Sequence, residues 1–195
     1  TGINSATSPA HIHHNTIADL QCNTSSNSRT VSGIHLVSGN ASRIYNNYVT
    51  ELKAPYSSTV NGIRGINLTN PSADTVGVYY NTVYLDALNS GSTFSSAALY
   101  SNTTPLLDLR NNILVNVSEV NGTAYTSSFY RANSNLATYL NTSGNNCFYA
   151  GNPSNKNLIY ADGTNYDQSI HDFIARVSPR DTNSFSELPP FLNTS

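Results

Sequence analysis

Methionine and tryptophan are absent, and only two cysteines, Cys22 and Cys147, occur in 195 residues. A small domain stapled by several disulfides is therefore excluded, and no Cys-x-x-Cys or Cys/His spacing is present to hold zinc. Charge is also scarce, with nine Lys and Arg against eleven Asp and Glu and a net charge of −2. Basic residues so few and so dispersed give no counterion-release footprint for nucleic acid and no polybasic patch for anionic lipid. Apolar runs fall far short of the ~20 residues that span a bilayer, so no membrane insertion is expected. No charged-then-apolar leader opens the chain. With no Met anywhere, the sequence is expected to begin after a removed leader or inside a longer polypeptide. The 38% of apolar residues, with 13 Tyr and 6 Phe, argue against a disordered solvating tail and for one folded domain.

What the chain does contain is amide and hydroxyl: 28 Asn, 27 Ser and 20 Thr. The Asn are not scattered at random. Asn15, Asn47, Asn81, Asn112 and Asn146 are each followed two residues later by an apolar residue, and they stand 32, 34, 31 and 34 apart. A second column of short apolar strands places Ile3, Ile34, Ile66, Ala98, Phe129 and Ile159 at steps of 31, 32, 32, 31 and 30. Two independent columns with one period identify a repeat architecture. Within each repeat the apolar residues alternate with period two, as in Gly33-Ile34-His35-Leu36 and Tyr48-Val49-Thr50, and no window before residue 166 has the 3.6-residue period of a helical repeat.

Strands this short bury a face only if each repeat stacks on the one before. The expected fold is all-β, a right-handed parallel β-helix of about 32 residues per coil over residues 1–160, its handedness resting on the preference of parallel crossovers. The six apolar residues above would form one interior column. The recurrent Asn would tolerate the left-handed bend between strands and hydrogen-bond from coil to coil as a ladder. Residues 161–195 read as a C-terminal cap, with a helix near 167–177 whose apolar face is Ile170, Phe173, Ile174 and Val177. Asn165 or Asp167 would cap its start, Pro179 would stop it, and the helix would cover the last ladder edge. Pro189-Pro190-Phe191-Leu192 offers the alternative of a further coil. Gly2-Ile3-Asn4 already reads as a strand with nothing before it to act as a cap, so upstream coils, or end-to-end self-association into a filament, would cover that edge.

The Ile-x-x-Asn-x-Val and Gly-Ile-x-Leu arms resemble the parallel β-helix repeats of the pectin-lyase-like superfamily, over about residues 1–160. Their Ser/Thr/Asn-rich texture is similar to β-helical segments of large secreted bacterial surface proteins. The resemblance implies fold rather than function, because the superfamily holds lyases, hydrolases, esterases, adhesins and tailspikes. Its polysaccharide lyases hold calcium with several carboxylates and use a nearby Arg or Lys as base. Here Asp19 and Glu51 align four residues after their Asn, but the column continues as Leu85 and Asn116. The paired-Asp, His-Gly and Asp-Asp-Gln constellations of the hydrolases and esterases do not appear at matched positions.

Other chemistry is sparse. Cys22 and Cys147 lie four coils apart, roughly 19 Å by ladder spacing, too far for a disulfide. His11 and His13 share an outer face without a completing ligand, so neither a metal nor a cofactor is expected. Two residues before each ladder Asn stand His13, Tyr45, Tyr79 and Arg110, an outward row suited to covering sugar C–H surfaces and binding hydroxyls. Tyr48, Tyr80 and Tyr84 add phenols nearby. Eight Asn-x-Ser/Thr sequons match the number that composition alone supplies, and carry no information on glycosylation.

The function expected from these residues is a non-enzymatic, secreted or cell-surface β-solenoid, structural or adhesive, with polysaccharide as the candidate ligand. The competing expectation is a carbohydrate-active enzyme using Asp19, Glu51 and an Arg such as Arg43.

Overall fold

The computed structural model describes residues 1–24 and 29–191. The chain winds as a parallel β-solenoid of about five turns, roughly 32 residues apart. The first coil contributes β1 (Ile3–Ser5), β2 (His11–His13), β3 (Thr16–Ile17) and β4 (Leu20–Gln21), and the second β5 (Val31–Leu36), β6 (Ser42–Tyr45), β7 (Tyr48–Val49) and β8 (Leu52–Lys53). The third holds β9 (Ile63–Leu68), β10 (Thr75–Tyr79) and β11 (Thr82–Leu85), and the fourth β12 (Ser96–Ser101), β13 (Leu106–Arg110) and β14 (Ile113–Asn116). The last coil has β15 (Thr126–Arg131) and β16 (Cys147–Tyr149), followed by β17 (Asn157–Ala161), β18 (Tyr166–Asp167) and helix α1 (Ile170–Val177). Equivalent strands pair into long sheets along the axis. Sheet A runs β1-β5-β9-β12-β15-β17-β18, sheet B β2-β6-β10-β13, sheet C β3-β7-β11-β14-β16, and β4 pairs with β8. Every pairing is parallel except β17 with β18.

The interior column differs from the expected one at two places. Ile3, Ile34, Ile66, Leu99, Phe129 and Tyr160 are register partners, so Leu99 and Tyr160 replace Ala98 and Ile159. Ala97 pairs with Arg64 and Leu99 with Ile66, which leaves Ala98 opposite Gly65. In the same way Ile159 falls opposite Ser128. Ala98 and Ile159 thus continue the neighbouring column of Gly2, Gly33 and Gly65, where sheet A approaches sheet C. A Cβ on Gly33 would stand 2.4 Å from Val49 Cγ1, and one on Gly65 2.3 Å from Val83 Cγ1, so the early coils exclude any side chain there. In the later coils a side chain fits that column, and the glycine that marks register in the sequence is lost.

The Asn ladder runs along the turn between sheets B and C. Asn47 donates both its backbone N–H (3.1 Å) and its amide Nδ2 (2.9 Å) to Asn81 Oδ1. The same double contact joins Asn15 to Asn47, Asn81 to Asn112 and Asn112 to Asn146. From Asn47 onward, Nδ2 also reaches a backbone carbonyl of the coil before: Ile12, Ile44, Val78 and Leu109 accept in turn. The left-handed bend, however, belongs to the residue before each ladder Asn: His14, Asn46, Tyr80, Asn111 and Asn145 have φ between 53° and 58°. Asn and His are among the residues that adopt that region most readily, and the bend there turns the next side chain into the stack.

The cap is also built differently from the expectation. Tyr166 and Asp167 form a strand that pairs antiparallel with β17 and covers the edge of sheet A, a task expected of the helix. The helix begins at Ile170 with Ser169 as its N-cap, accepting from the Asp172 N–H at 3.2 Å. Asp167 is unavailable as a cap because its carboxylate binds Arg176, and the Asn165 side chain is held by Asp162 and Arg176. Phe173 enters the end of the core among Phe129, Phe148 and Tyr160, at centroid distances of 6.3, 5.2 and 5.2 Å. Sheet C is closed by Phe185, whose N–H donates to Asn146 O and whose carbonyl accepts from Phe148. The following segment does not start another coil: Phe191 lies back against Tyr84 of the third coil, 5.0 Å between centroids. Leu192 and the sequon at Asn193 lie outside the described residues.

Candidate functional site

Sheet B carries the row singled out two residues before the ladder. His13, Tyr45, Tyr79 and Arg110 are register partners on successive strands, and Gly144 follows by a single bridge. Ile12, Ile44, Val78 and Leu109, one residue earlier in each strand, are buried, so alternation turns the row outward. Its members are not four equivalent platforms. The His13 imidazole stacks on Tyr45 (4.7 Å, 15°) and covers one face of that ring. Tyr79 instead folds flat over Gly77, where a Cβ would lie 2.4 Å from the ring, so only glycine permits this pose.

Tyr79 is held there by a carboxylate that sequence reasoning missed. Its hydroxyl donates to Asp108 Oδ2 at 2.7 Å, and Arg110 Nη2 donates to the same oxygen at 2.7 Å. Thr142 Oγ1 donates to Asp108 Oδ1 at 2.9 Å, and the Arg110 guanidinium carbon lies 4.8 Å from the Tyr79 ring centre. Burial, together with the Asp108 carboxylate, pushes the Tyr79 phenol above its ordinary range, so it stays protonated and donating at neutral pH. Asp108 is 6% exposed, and this closed set fixes Tyr79 and Arg110 with little freedom left to lose on contact. Beside them a hollow of about 120 Å³ is lined by Ser42, Arg43, Thr75, Gly77 and Tyr79. The signals for this arrangement were Gly77 inside a strand, a mark of close approach, and Asp108 two residues before Arg110.

The other residues considered for chemistry are not gathered. Asp19 and Glu51 occupy left-handed turn positions (φ 51° and 49°) between sheet C and the β4–β8 pair, whereas Arg43 lies on sheet B. Asp19 is bound by Lys53 at 3.0 Å in an exposed pair. His13 Nδ1 and His14 Nδ1 lie 2.8 Å apart, and among the described residues no group of three or more His, Cys, Asp or Glu gathers around a point that would hold a metal ion. Both cysteines are free, and burial pushes the Cys147 thiol up, which suits a packing role.

Sheet A carries a second outward aromatic row, absent from the expectations. Tyr100 and Tyr130 are register partners stacked at 5.2 Å and 12°, with the Arg64 guanidinium 3.5 Å over Tyr100. Tyr125 extends the row from Tyr130 and meets Tyr166 edge to face. The Arg64, Tyr100 and Tyr130 faces cover one another, so this stretch stabilises the coils more than it offers free ring faces. Both Tyr directly follow an interior residue, Leu99 or Phe129, and that spacing would have revealed them had the fourth coil been registered correctly.

No family model, no curated protein and no solved structure matches this chain.

Proposed function

We propose that the chain is a structural or adhesive β-solenoid module of an exported or cell-surface protein, of the pectin-lyase-like kind, that contacts polysaccharide through sheet B and performs no catalysis. The observation that carries this reading is the in-register outward row of His13, Tyr45, Tyr79 and Arg110, with Tyr79 and Arg110 fixed around Asp108. A flat phenol face covers sugar C–H surface, and an exposed guanidinium such as that of Arg43 offers a planar fork of donors. A lyase must neutralise a uronate and remove a neighbouring proton with converging groups. Asp19 and Glu51 are neighbours on one turn, but Arg43 lies on sheet B, which weighs against that activity.

Replacing Tyr45 and Tyr79 with alanine is expected to weaken polysaccharide binding by roughly 1 kcal/mol per ring, read by isothermal calorimetry. Unchanged affinity in the double variant would refute the sheet B assignment. Calcium-dependent release of unsaturated sugars, lost in Asp19→Ala or Glu51→Ala, would refute the non-enzymatic reading.

Self-association belongs to the same proposal, with a limit set by the cap. The C-terminal end is closed by β18, Phe185 and α1, so end-to-end contact of this polypeptide would not pass through that end and would not grow as a filament. Sedimentation velocity should show monomer and dimer only. A ladder of higher species would contradict it.

A further inference from the structure

An open groove of about 640 Å³ lies at the capped end of the solenoid between β18 and α1, lined by Tyr166, Gln168, His171, Asp172 and Arg176 among others. Its base is rigid. Arg176 donates twice to Asp167, through Nε and Nη2 at 2.7 Å each, and Nη1 donates to Asn165 Oδ1 at 2.8 Å. Tyr166 is 48% exposed, its hydroxyl donates to Gly163 O at 3.0 Å, and its ring meets Tyr125 edge to face at 5.3 Å. That ring is therefore fixed while half of its surface stays free.

The chemistry of the lining selects a ligand class. Arg176 is committed to Asp167 and Asn165, so a ligand anion would find no uncommitted guanidinium and would face the Asp172 carboxylate. Asp172 accepts from Ser169 Oγ at 2.6 Å through one oxygen, has His171 Nδ1 3.9 Å from the other, and keeps further acceptor capacity. The Gln168 amide makes no hydrogen bond among the described residues and offers both donor and acceptor. The groove is shallow and open to solvent, and its lining is too polar for an apolar ligand. A fixed phenol face beside a carboxylate and an amide matches a pyranose, which presents C–H groups on one face and hydroxyls around its rim.

We propose that this cap groove is a binding site for a neutral saccharide, stacked on Tyr166 and hydrogen-bonded through its hydroxyls to Gln168 and Asp172. The site is separate from the sheet B row and does not depend on it.

The test is a ¹H–¹⁵N NMR titration of the whole chain with neutral gluco-, galacto- and manno-tetraoses. At least one should shift amides within 165–176 in a saturable way. Tyr166→Ala should weaken that binding about tenfold, while Tyr166→Phe retains it, since the hydroxyl is engaged by Gly163 and Tyr125 and the ring face does the stacking. Gln168→Ala, an exposed change that leaves the fold alone, should weaken it several-fold. Tyr79→Ala should leave these shifts unchanged, which separates this site from sheet B. The proposal is overturned if no tetraose shifts 165–176 at millimolar concentration, if Tyr166→Ala and Gln168→Ala both bind as the parent does, or if only acidic sugars bind there.

Discussion

Asn81→Ala is expected to destabilise the protein by about 3–5 kcal/mol, more than most single substitutions, although it deletes only one polar side chain. Asn81 is buried at mid-ladder, and four contacts meet on its amide. Its Oδ1 accepts from Asn47 N and Asn47 Nδ2, and its Nδ2 donates to Ile44 O and Asn112 Oδ1. Alanine leaves the Asn47 backbone N–H and the amide-facing lone pair of Ile44 O buried without this partner, each costing about 1–3 kcal/mol, while Asn47 Nδ2 keeps Ile12 O and Tyr45 O as acceptors. Asn81→Asp retains the acceptor but sets a carboxylate oxygen against Ile44 O and Asn112 Oδ1. Its folded-state pKa must then lie above the unfolded value, so the variant should be most stable in acid and lose stability as pH rises through the folded value. Urea denaturation at two pH values reads both effects. A change within about 0.5 kcal/mol for Asn81→Ala would mean the ladder is ornamental.

Asp181→Ala should cost a similar amount, about 3 kcal/mol, because Asp181 is where the ladder ends. Among the described residues no sixth coil supplies an Asn, and Asp181 Oδ1 instead accepts from Asn146 Nδ2 at 3.0 Å and Ser184 Oγ at 2.6 Å, while Oδ2 accepts from Tyr139. Ser184 Oγ takes the Asn146 backbone N–H at 2.9 Å. Burial drives the Asp181 carboxyl above its ordinary value of 3.8, outweighing the three hydrogen bonds it accepts and the nearby Arg180 charge. Between that ordinary value and the higher folded one, the native state holds a proton that the unfolded state has lost. The contribution of Asp181 is therefore full below the unfolded value and is lost as pH rises through the folded one. Asp181→Asn keeps an acceptor for Asn146, removes the buried charge and becomes the sixth amide of the ladder. At neutral pH its Tm should equal or exceed that of the parent, with this part of the pH dependence gone. If Asn and Ala at 181 are equally destabilising, the carboxylate does not act as a ladder terminus.

The ladder was legible in the sequence because stacking a donor and an acceptor at one site in every coil admits almost no residue but Asn. The interior column was legible where its neighbour was glycine or, beside Phe129, the polar Ser128. Where Ala98 and Ile159 occupy that neighbouring column, apolar character alone does not separate them from Leu99 and Tyr160, and the assignment slips by one residue. The cap misled for a different reason. Tyr166-Asp167 is too short to read as a strand, and Asp167 looks like a helix cap until Arg176, in the last turn of the helix, is seen to claim it. On sheet B the row of His13, Tyr45, Tyr79 and Arg110 followed from counting, whereas the closure of Tyr79 over Gly77 and onto Asp108 depends on contacts between coils that no local pattern encodes.

The central claim is that equivalent residues of successive coils are held in register by one column of side-chain amides, and hydrogen exchange of those amides tests it most directly. The Nδ2 hydrogens of Asn47, Asn81, Asn112 and Asn146 each have a named acceptor inside the solenoid. They should exchange orders of magnitude more slowly than those of surface Asn residues such as Asn133, and Asn15, in the first coil, should be the least protected of the column. Exchange of all five at the rate of a solvent-exposed amide would contradict the register, and with it the outward rows on which the functional proposals stand.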